Sequence, residues 1–322
     1  MTRKKLMEVG SSLIAILISL VAVANLGEYP RHVMIVLMIN IVMAGGLHLI
    51  IKSGQLSLGH GAFMGIGAYT YALCAMGGLP NPVPVVLGVA LSGAIAYLIG
   101  AIVCRMRGVY FVLATFAFGE ITRGVFNNWS SVTHGATGLT NIPGMGVSGM
   151  TITSRVGYGV LALLVAISAL WFLRRVILSN FGWRLLAISQ SELLSESIGF
   201  DTVKDKVKAF VIGSCLASLG GVLYASYVRY VSPTDFTFWR SVDLLTMNVI
   251  GGMGNLMGST IGAVTFSVLS EGFRGSKEFH TILYGALLIL IMRFAPAGLL
   301  GLLGRMHRLV MGAGSGERTT GH

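Results

Sequence analysis

Side chains able to do chemistry stand closest together in KSGQLSLGHGAFMGIGAYTY, residues 52–71, where Gln55, Ser57 and His60 lie among five glycines. Ser57 and His60 are the residue types that act as nucleophile and general base in serine hydrolases. They are only three residues apart in a glycine-rich turn without a visible oxyanion scaffold, so the pattern does not fit hydrolysis. Amide, hydroxyl and imidazole groups can instead form hydrogen bonds, either to a bound molecule or within a turn of the protein itself.

Other motifs for catalysis are missing from the sequence. It has no GxxxxGK[ST] loop, and the glycine-rich run 251–263 lacks the lysine that would reach nucleotide phosphates, so the chain is not expected to be an ATPase. Cys74, Cys104 and Cys215 lie in apolar runs without metal-ligand spacing. We therefore expect a protein that is not an enzyme and binds no metal or cofactor itself.

Two acid–base pairs fall inside apolar runs. Glu120 and Arg123 are three residues apart, as are Glu271 and Arg274, so each pair can meet on one face of a helix. Ionisable groups within a membrane are candidates for function. A pair that neutralises itself is favoured here, because a proton-coupled carrier needs an acid whose charge changes.

The composition is typical of a membrane protein. Of the 322 residues, 54% are hydrophobic and 11% are charged, with a mean hydropathy of +0.79, whereas soluble domains are about 25% charged. The net charge of +11 gathers at the ends of apolar runs, which favours membrane lipid over nucleic acid as its partner.

Apolar runs along the whole chain predict an all-α, polytopic membrane bundle. We expect about 8–10 transmembrane helices, some broken or re-entrant, in one transmembrane domain over residues 1–322. The first run can also be read as a signal peptide. The predicted spans are 11–26, 31–51, 61–79, 83–104, 109–126, 158–178, 208–228, 243–257, 259–273 and 281–300.

The basic residues predict the orientation. With the N-terminus inside, fifteen of the 23 Lys and Arg residues are cytoplasmic, as the positive-inside rule favours. Both termini are then cytoplasmic, with an external loop at about 127–157 and a cytoplasmic loop at about 179–207. The small, polar tail at about 312–322 is predicted to be flexible.

Glycine-rich breaks interrupt two of the apolar regions. Non-helical backbone survives in hydrocarbon only inside a protein or along a watery cavity, so we expect both breaks to line a passage and to mark pseudo-repeated halves. A tight cytoplasmic turn ahead of a GxxxG packing face is the alternative for the first break. The break glycines are Gly54, Gly59, Gly61, Gly254 and Gly258, and the predicted lining side chains are Gln55, Ser57, His60 and Asn255.

The cytoplasmic loop contains a short predicted helix. Ser189 and Glu192 fit the S-x-x-E capping box, which predicts a helix that begins at Gln190, and Gly199 suits the residue after its end. A helix of about nine residues is too short to be stable alone, so we expect it to dock against a partner.

The composition of this helix indicates the kind of partner. Leu193 and Leu194 give it an apolar surface, while Glu192 and Glu196 place like charges one turn apart, which a basic partner would relieve. An amphipathic helix on lipid headgroups is the alternative, but it would favour Lys and Arg over paired glutamates.

Three separated motifs closely resemble the permease of branched-chain amino acid ABC importers, of the LivM type, over roughly residues 30–300. They are GQLSLGHGAFMGIGAYTYAL, YFVLATFAFGEITRGVFNNWSSVTHGATGLTNIP and GGMGNLMGSTIGA. The resemblance implies an ATP-driven importer of branched-chain, hydrophobic amino acids, although relatives on the same framework import urea, short amides or aromatic acids.

The resemblance also implies partners and a place in the cell. These are a second permease of the LivH type, two ATP-binding subunits of the LivG/LivF type that hold ATP and Mg²⁺, and a periplasmic substrate-binding protein, at the bacterial cytoplasmic (inner) membrane. The loop around residues 189–199 stands where that family places the helix that couples permease to ATPase. The rival function of another class is an ion-coupled secondary transporter or channel.

Overall fold

The computed structural model of the chain describes residues 27–147, 150–152, 154–272, 285, 298–299 and 301. Two short 3₁₀ turns, Gly135–Thr137 and Pro233–Phe236, join longer elements. The α-helices are α1 (Glu28–Ile51), α2 (His60–Met76), α3 (Val83–Val103), α4 (Val109–Asn128), α5 (Ser130–Thr133), α6 (Arg155–Ile177), α7 (Asn180–Gln190), α8 (Glu192–Ser197), α9 (Thr202–Val228), α10 (Phe238–Gly251) and α11 (Leu256–Gly272).

The all-α, polytopic architecture predicted from composition is confirmed. Within the described residues, α1, α3, α4, α6 and α9 are long and apolar enough to cross a membrane, and α10 with α11 meet the same test as a bent pair. The predicted spans 11–26 and, apart from isolated residues, 281–300 lie outside the described residues, as does the tail at 312–322.

Helix α9 stands at the centre of the bundle and packs against α1, α2 and α3. Small residues let the backbones approach: a Cβ added to Gly221 of α9 would lie 1.9 Å from the carbonyl oxygen of Met64 in α2. Gly46 of α1 and Gly213 of α9 also face each other, since a Cβ added to either would lie 2.7–2.8 Å from the carbonyl oxygen of the other. Close packing of this kind replaces the hydrophobic force that is missing between helices in lipid.

The predicted external loop, 127–157, forms short elements of its own. Strand β1 (Leu139–Thr140) pairs antiparallel with β4 (Tyr230–Val231), in the connection between α9 and α10. Strands β2 (Gly146–Val147) and β3 (Met150–Thr151) form a separate hairpin. The pairing of β1 with β4 ties this loop to the α9 end of the bundle.

Helices α10 and α11 form the bent pair, with an angle of 115° between them. The predicted spans 243–257 and 259–273 place this interruption too late, because α10 ends at Gly251 and α11 begins at Leu256. Helix α10 ends where Gly252 N donates to Asn248 O. Helix α11 starts where Asn255 O accepts from Gly258 N. A broken or re-entrant helix here is nevertheless confirmed.

Candidate translocation pathway and cytoplasmic docking helix

The first glycine-rich break is a turn followed by an unwound segment. Lys52, Ser53 and Gly54 close a turn at the end of α1, with Ser53 N donating to Ile50 O and Gly54 N to Ile51 O, both at 2.9 Å. The segment 55–59 is not helical, and α2 begins only at His60. The predicted tight turn therefore accounts for three residues of the break, and five more remain.

The unwound segment leads from the 179–207 loop, which was predicted to be cytoplasmic, into the bundle. At its start, the Cβ position of Gly54 lies 3.1 Å from Cα of Ser189. At its other end, Leu58 N donates to Thr115 Oγ1 at 3.1 Å, and Thr115 lies six residues, or about 9 Å, along the candidate span α4. The backbone is thus unwound beside helices that have the length and composition to cross a membrane.

Hydroxyl groups of α4, of α10 and of the segment itself accept hydrogen bonds from the backbone of the segment and of the start of α2. Besides the bond from Leu58 to Thr115, Gly59 N donates to Ser57 Oγ at 3.3 Å and Gly61 N donates to Ser241 Oγ of α10 at 2.9 Å. Unpaired N–H groups would cost several kcal/mol in a site without water. Sequence reasoning missed Thr115 and Ser241, whose signal is a hydroxyl within an otherwise apolar helix.

The side chains of the segment are buried, but they are only partly satisfied. Gln55, Ser57 and His60 are at most 5% exposed. Both polar atoms of the Gln55 amide and both ring nitrogens of His60 lack a hydrogen-bond partner among the described residues. Buried polar groups are paired in most proteins, and an unpaired one indicates bound water, strain or a functional site.

Glycines Gly59 and Gly61 let α4 and α10 close on the segment. An added Cβ would lie 3.0 Å from the carbonyl oxygen of Thr115 at Gly59, and 3.0 Å from that of Thr237 at Gly61. Either side chain would push a neighbouring helix away. The structure therefore brings Gln55, Ser57, Gly59, His60 and Gly61 together in one tightly enclosed region, where segment 55–59 meets the start of α2.

The second break differs from the first. Asn255 is exposed, and its Oδ1 accepts from Met257 N at 3.1 Å, so it caps α11. Gly254 has open space at its Cβ position, whereas Gly258 packs on the backbone of Gly251 and Gly252. A buried polar group in this pair of helices that the sequence reasoning missed is Asn248, which donates to Ala44 O and accepts from Ser259.

Helix α4 carries an ion pair on a largely uncovered surface. Arg123 donates through Nε and a terminal nitrogen to Glu120 Oε2 at 3.0 and 2.7 Å. The predicted self-neutralising pair is therefore formed, and both side chains are more than 30% exposed. Of the second predicted pair, Arg274 lies outside the described residues.

The predicted start of the helix in the 179–207 loop is wrong, because Ser191 caps it and not Ser189. Gln190 is the last residue of α7, and α8 begins at Glu192 after extended backbone at Ser191, whose Oγ accepts from Leu194 N at 3.3 Å. Ser189 instead donates to Leu186 O inside α7. Burial of Leu185 and Ile188 holds α7 helical through this point, so tertiary packing decides which serine caps.

The end of α8 follows the prediction. Gly199 has a φ of +89°, the left-handed conformation that terminates helices, and its N donates to Glu196 O at 2.9 Å. The helix is six residues long, shorter than the nine expected. It is therefore even less able to hold its shape without contacts.

The glutamates of α8 find basic partners within this chain. Glu192 accepts from Lys206 Nζ at 2.5 Å and lies 3.0 Å from Arg107 Nε. Glu196 accepts from Thr202 Oγ1 at 2.8 Å, with Arg107 at 3.8 Å. The expectation that a partner protein relieves this charge is corrected, because the chain's own residues already do so.

Next to these contacts, a second ion pair fixes α7 on α9. Arg184 donates to both carboxylate oxygens of Asp205, at 2.6 and 3.2 Å. The hydrogen bond to Asp205 raises the pKa of Arg184, so the guanidinium stays charged. Bidentate pairs of this kind fix geometry as well as charge.

The opposite side of α8 is apolar and uncovered. Leu193, Leu194 and Ile198 are 69%, 65% and 62% exposed. Three large aliphatic side chains on a helix of this length form an exposed apolar patch of the kind that marks protein contacts. We call these three residues the docking face of α8.

Comparisons with known proteins agree with these features. A family model described as branched-chain amino acid transport system / permease component matches residues 29–292. Over 306 residues, 87% of this chain and 72% of the other, the sequence is 32% identical to the high-affinity branched-chain amino acid transport system permease protein LivM of Salmonella typhimurium. Identity to LivM of Escherichia coli is 31% with the same coverage. The permease protein LivH of Salmonella typhimurium is 29% identical over 126 residues, 38% of this chain and 40% of that one.

Proposed function

Because the chain belongs to the family of permease components of branched-chain amino acid transport systems, we propose that it forms half of the passage of an ATP-driven importer for branched-chain amino acids. The observation that carries this proposal is the unwound segment 55–59, which enters the bundle beside α4 and α10. Lipid does not tolerate such backbone unless it borders a passage or is enclosed by protein.

In this function the side chains of the segment line the closed passage or its gate. Gln55, Ser57 and His60 supply polar atoms beside a solute that must shed water, and the unpaired atoms of Gln55 and His60 are available to it. Asn255, exposed at the second break, would contact the solute only near an entrance. Gly59 and Gly61 keep the closed state tight, since any side chain there would separate the helices.

The second half of the passage is a permease of the LivH type, and α4 supplies the surface that it covers. Helices α3 and α4 are equally uncovered, since only 22% of the residues in the most apolar window of each are buried. They differ in polarity, because α4 is the least apolar of the five candidate spans. Glu120 lies eight residues, about 12 Å, from the end of α4. A charged pair at that depth faces protein or water, whereas α3, which carries no charged residue, suits lipid.

Two ATP-binding subunits of the LivG/LivF type drive the importer, and they hold the ATP and Mg²⁺. The docking face of α8, Leu193, Leu194 and Ile198, fits an apolar groove on such a subunit. The chain lies in the bacterial inner membrane with both termini in the cytoplasm, as the positive-inside rule favours. A periplasmic binding protein meets the side that carries β1 and β4.

A secondary carrier is the rival function, and the described residues favour ATP-driven transport. Glu120 of α4 is paired with Arg123 at 2.7 Å, whereas a proton-coupled carrier needs an acid that is free to exchange its proton with the transport path. The exposed apolar face of α8 indicates a contact with another protein, which a carrier that acts alone does not need.

Reconstitution in vesicles tests the function. The complete complex is expected to accumulate labelled leucine only with ATP and a loaded binding protein, with competition from isoleucine and valine. Transport of urea, short amides or aromatic acids by the same complex would assign the alternative substrates. Uphill accumulation by the purified chain alone, without nucleotide, would establish the carrier instead.

A further inference from the structure

Glu192 of α8 joins two basic residues from different parts of the chain. Lys206 of α9 donates to Oε1 at 2.5 Å, and Arg107, in the turn between α3 and α4, lies 3.0 Å from Oε2. The Lys206 side chain is 4% exposed and that of Arg107 is 55% exposed. The first contact is thus fixed inside the bundle, and the second is at its surface.

Arg107 stands at the foot of the helix that holds the unwound segment. Gly108 follows it with a φ of +55° and open space at its Cβ position, and α4 begins at Val109. Six residues further, Thr115 Oγ1 accepts from Leu58 N. A connected path therefore runs from α8 through one ion pair, the turn at Arg107 and Gly108, and helix α4 to segment 55–59.

The helices differ in how firmly the rest of this chain holds them. In the most apolar window, 22% of residues are buried for α4, against 72% for α9. Helix α9 packs against α1, α2 and α3 and stays with them. Helix α4 has fewer contacts within this chain, so it can move relative to α9 together with the second permease that covers it in the proposed function.

We propose that the Arg107–Glu192 ion pair transmits the displacement of α8 to α4, so that α4 moves with α8 and loosens its hold on segment 55–59. The inference rests on the proposed function, which supplies the ATP-driven displacement of α8. Lys206 keeps Glu192 in place, and Arg107 carries the motion. Arg107 is thus a positioning residue of transport and does not contact the solute.

Global stability does not explain the pair. An exposed ion pair in water contributes little to folding, and Arg107 is more than half exposed. The contribution of Arg107 is to hold α8 in a fixed position. Its Nε lies beside Glu192, and a terminal nitrogen of the same guanidinium lies beside Glu196.

The test compares Arg107→Gln with Arg105→Gln in the complete complex. Arg105 is an exposed arginine in the same turn, and its Nε donates to Ala101 O in α3. We expect the Arg107→Gln complex to retain its ATP-binding subunits and its basal ATP hydrolysis. The amount of leucine taken up per ATP should fall about fivefold or more, within the usual range of coupling between sites. Arg107→Lys should recover part of the loss, and Arg105→Gln should match the wild type.

A distance measurement adds a readout that a purely structural role would not change. Spin labels at Leu113 of α4 and Ser197 of α8, in a cysteine-free background, should keep a constant separation on ATP binding in the wild type, because the two helices move together. In Arg107→Gln the separation should change, since α8 then moves without α4.

Three results would overturn the proposal. Arg107→Gln with a wild-type ratio of leucine to ATP would show that the pair transmits nothing. Loss of the ATP-binding subunits from this variant would assign Arg107 to docking instead. Equal losses in Arg105→Gln and Arg107→Gln would reduce the effect to charge in the turn. Failure of the proposed function is distinct from all three, since the wild-type complex would then show no ATP-driven uptake.

Discussion

His60 is a buried imidazole that stabilises nothing visible in the described residues. It is 0% exposed, it begins α2, and neither ring nitrogen has a hydrogen-bond partner in the part of the chain that the structure describes. A buried polar group in this state destabilises the closed form by the cost of its desolvation. The residue therefore has to be explained by a state in which its nitrogens meet water or solute.

Replacing His60 by leucine separates stability from function. We expect His60→Leu to raise the free energy of unfolding by about 1 kcal/mol, because an apolar group of similar size no longer loses hydration on burial. Uptake of leucine should fall, since the passage loses its polar contact. Thermal unfolding of the purified complex and uptake in vesicles measure the two effects.

The control is Ser53→Ala, which removes a buried hydroxyl that is already bonded to Ile50 O at 2.7 Å. It should leave uptake near the wild-type value. A His60→Leu variant that is less stable and transports normally would show that the imidazole is structural.

At the scale of the helix, the two sides of α8 have separate tasks. Charge reversal at Glu192 is a poor test of docking, because a lysine there would stand against Lys206 and Arg107. The docking face can be changed without touching these contacts. We expect Leu193→Ser with Leu194→Ser to release the ATP-binding subunits during purification while the chain still inserts in the membrane, because two exposed apolar anchors are lost.

Leu178→Ser is the matched control for this pair. Leu178 directly follows α6, is 64% exposed like the docking face, and lies outside α8. The ATP-binding subunits should stay bound to that variant. Their retention by the Leu193, Leu194 double variant would exclude α8 as the docking element.

The sequence predicts helices well where apolar runs are long, and less well where short polar contacts decide. Helices α1 and α3 lie within three residues of their predicted spans, because about 20 apolar residues have few other conformations in lipid. The cap of α8 was misplaced because Ser189 and Ser191 both suit the motif. In the triad of Arg107, Glu192 and Lys206, Arg107 lies 85 residues before Glu192 along the chain, and only the packed bundle brings it to the other two.

For the whole molecule, the proposed function requires one face of the bundle to meet a second permease. Helices α3 and α4 both expose most of their surface. Only α4 places a charged pair, Glu120 and Arg123, on that surface. Hydrocarbon would penalise this pair, and a second protein or a water-filled passage would not.

Photo-crosslinking from matched positions distinguishes the two faces. Ile121 of α4 is 67% exposed and Leu98 of α3 is 66% exposed, so a benzophenone side chain has equal access at either site. We expect the Ile121 probe to form a covalent product with the second permease in membranes, and the Leu98 probe to form lipid adducts only, because α3 offers lipid nothing but apolar side chains. The products are identified by mass spectrometry after denaturing separation. A product with the second permease from Leu98 and none from Ile121 would place the interface on α3 and leave the Glu120–Arg123 pair to be explained by water alone.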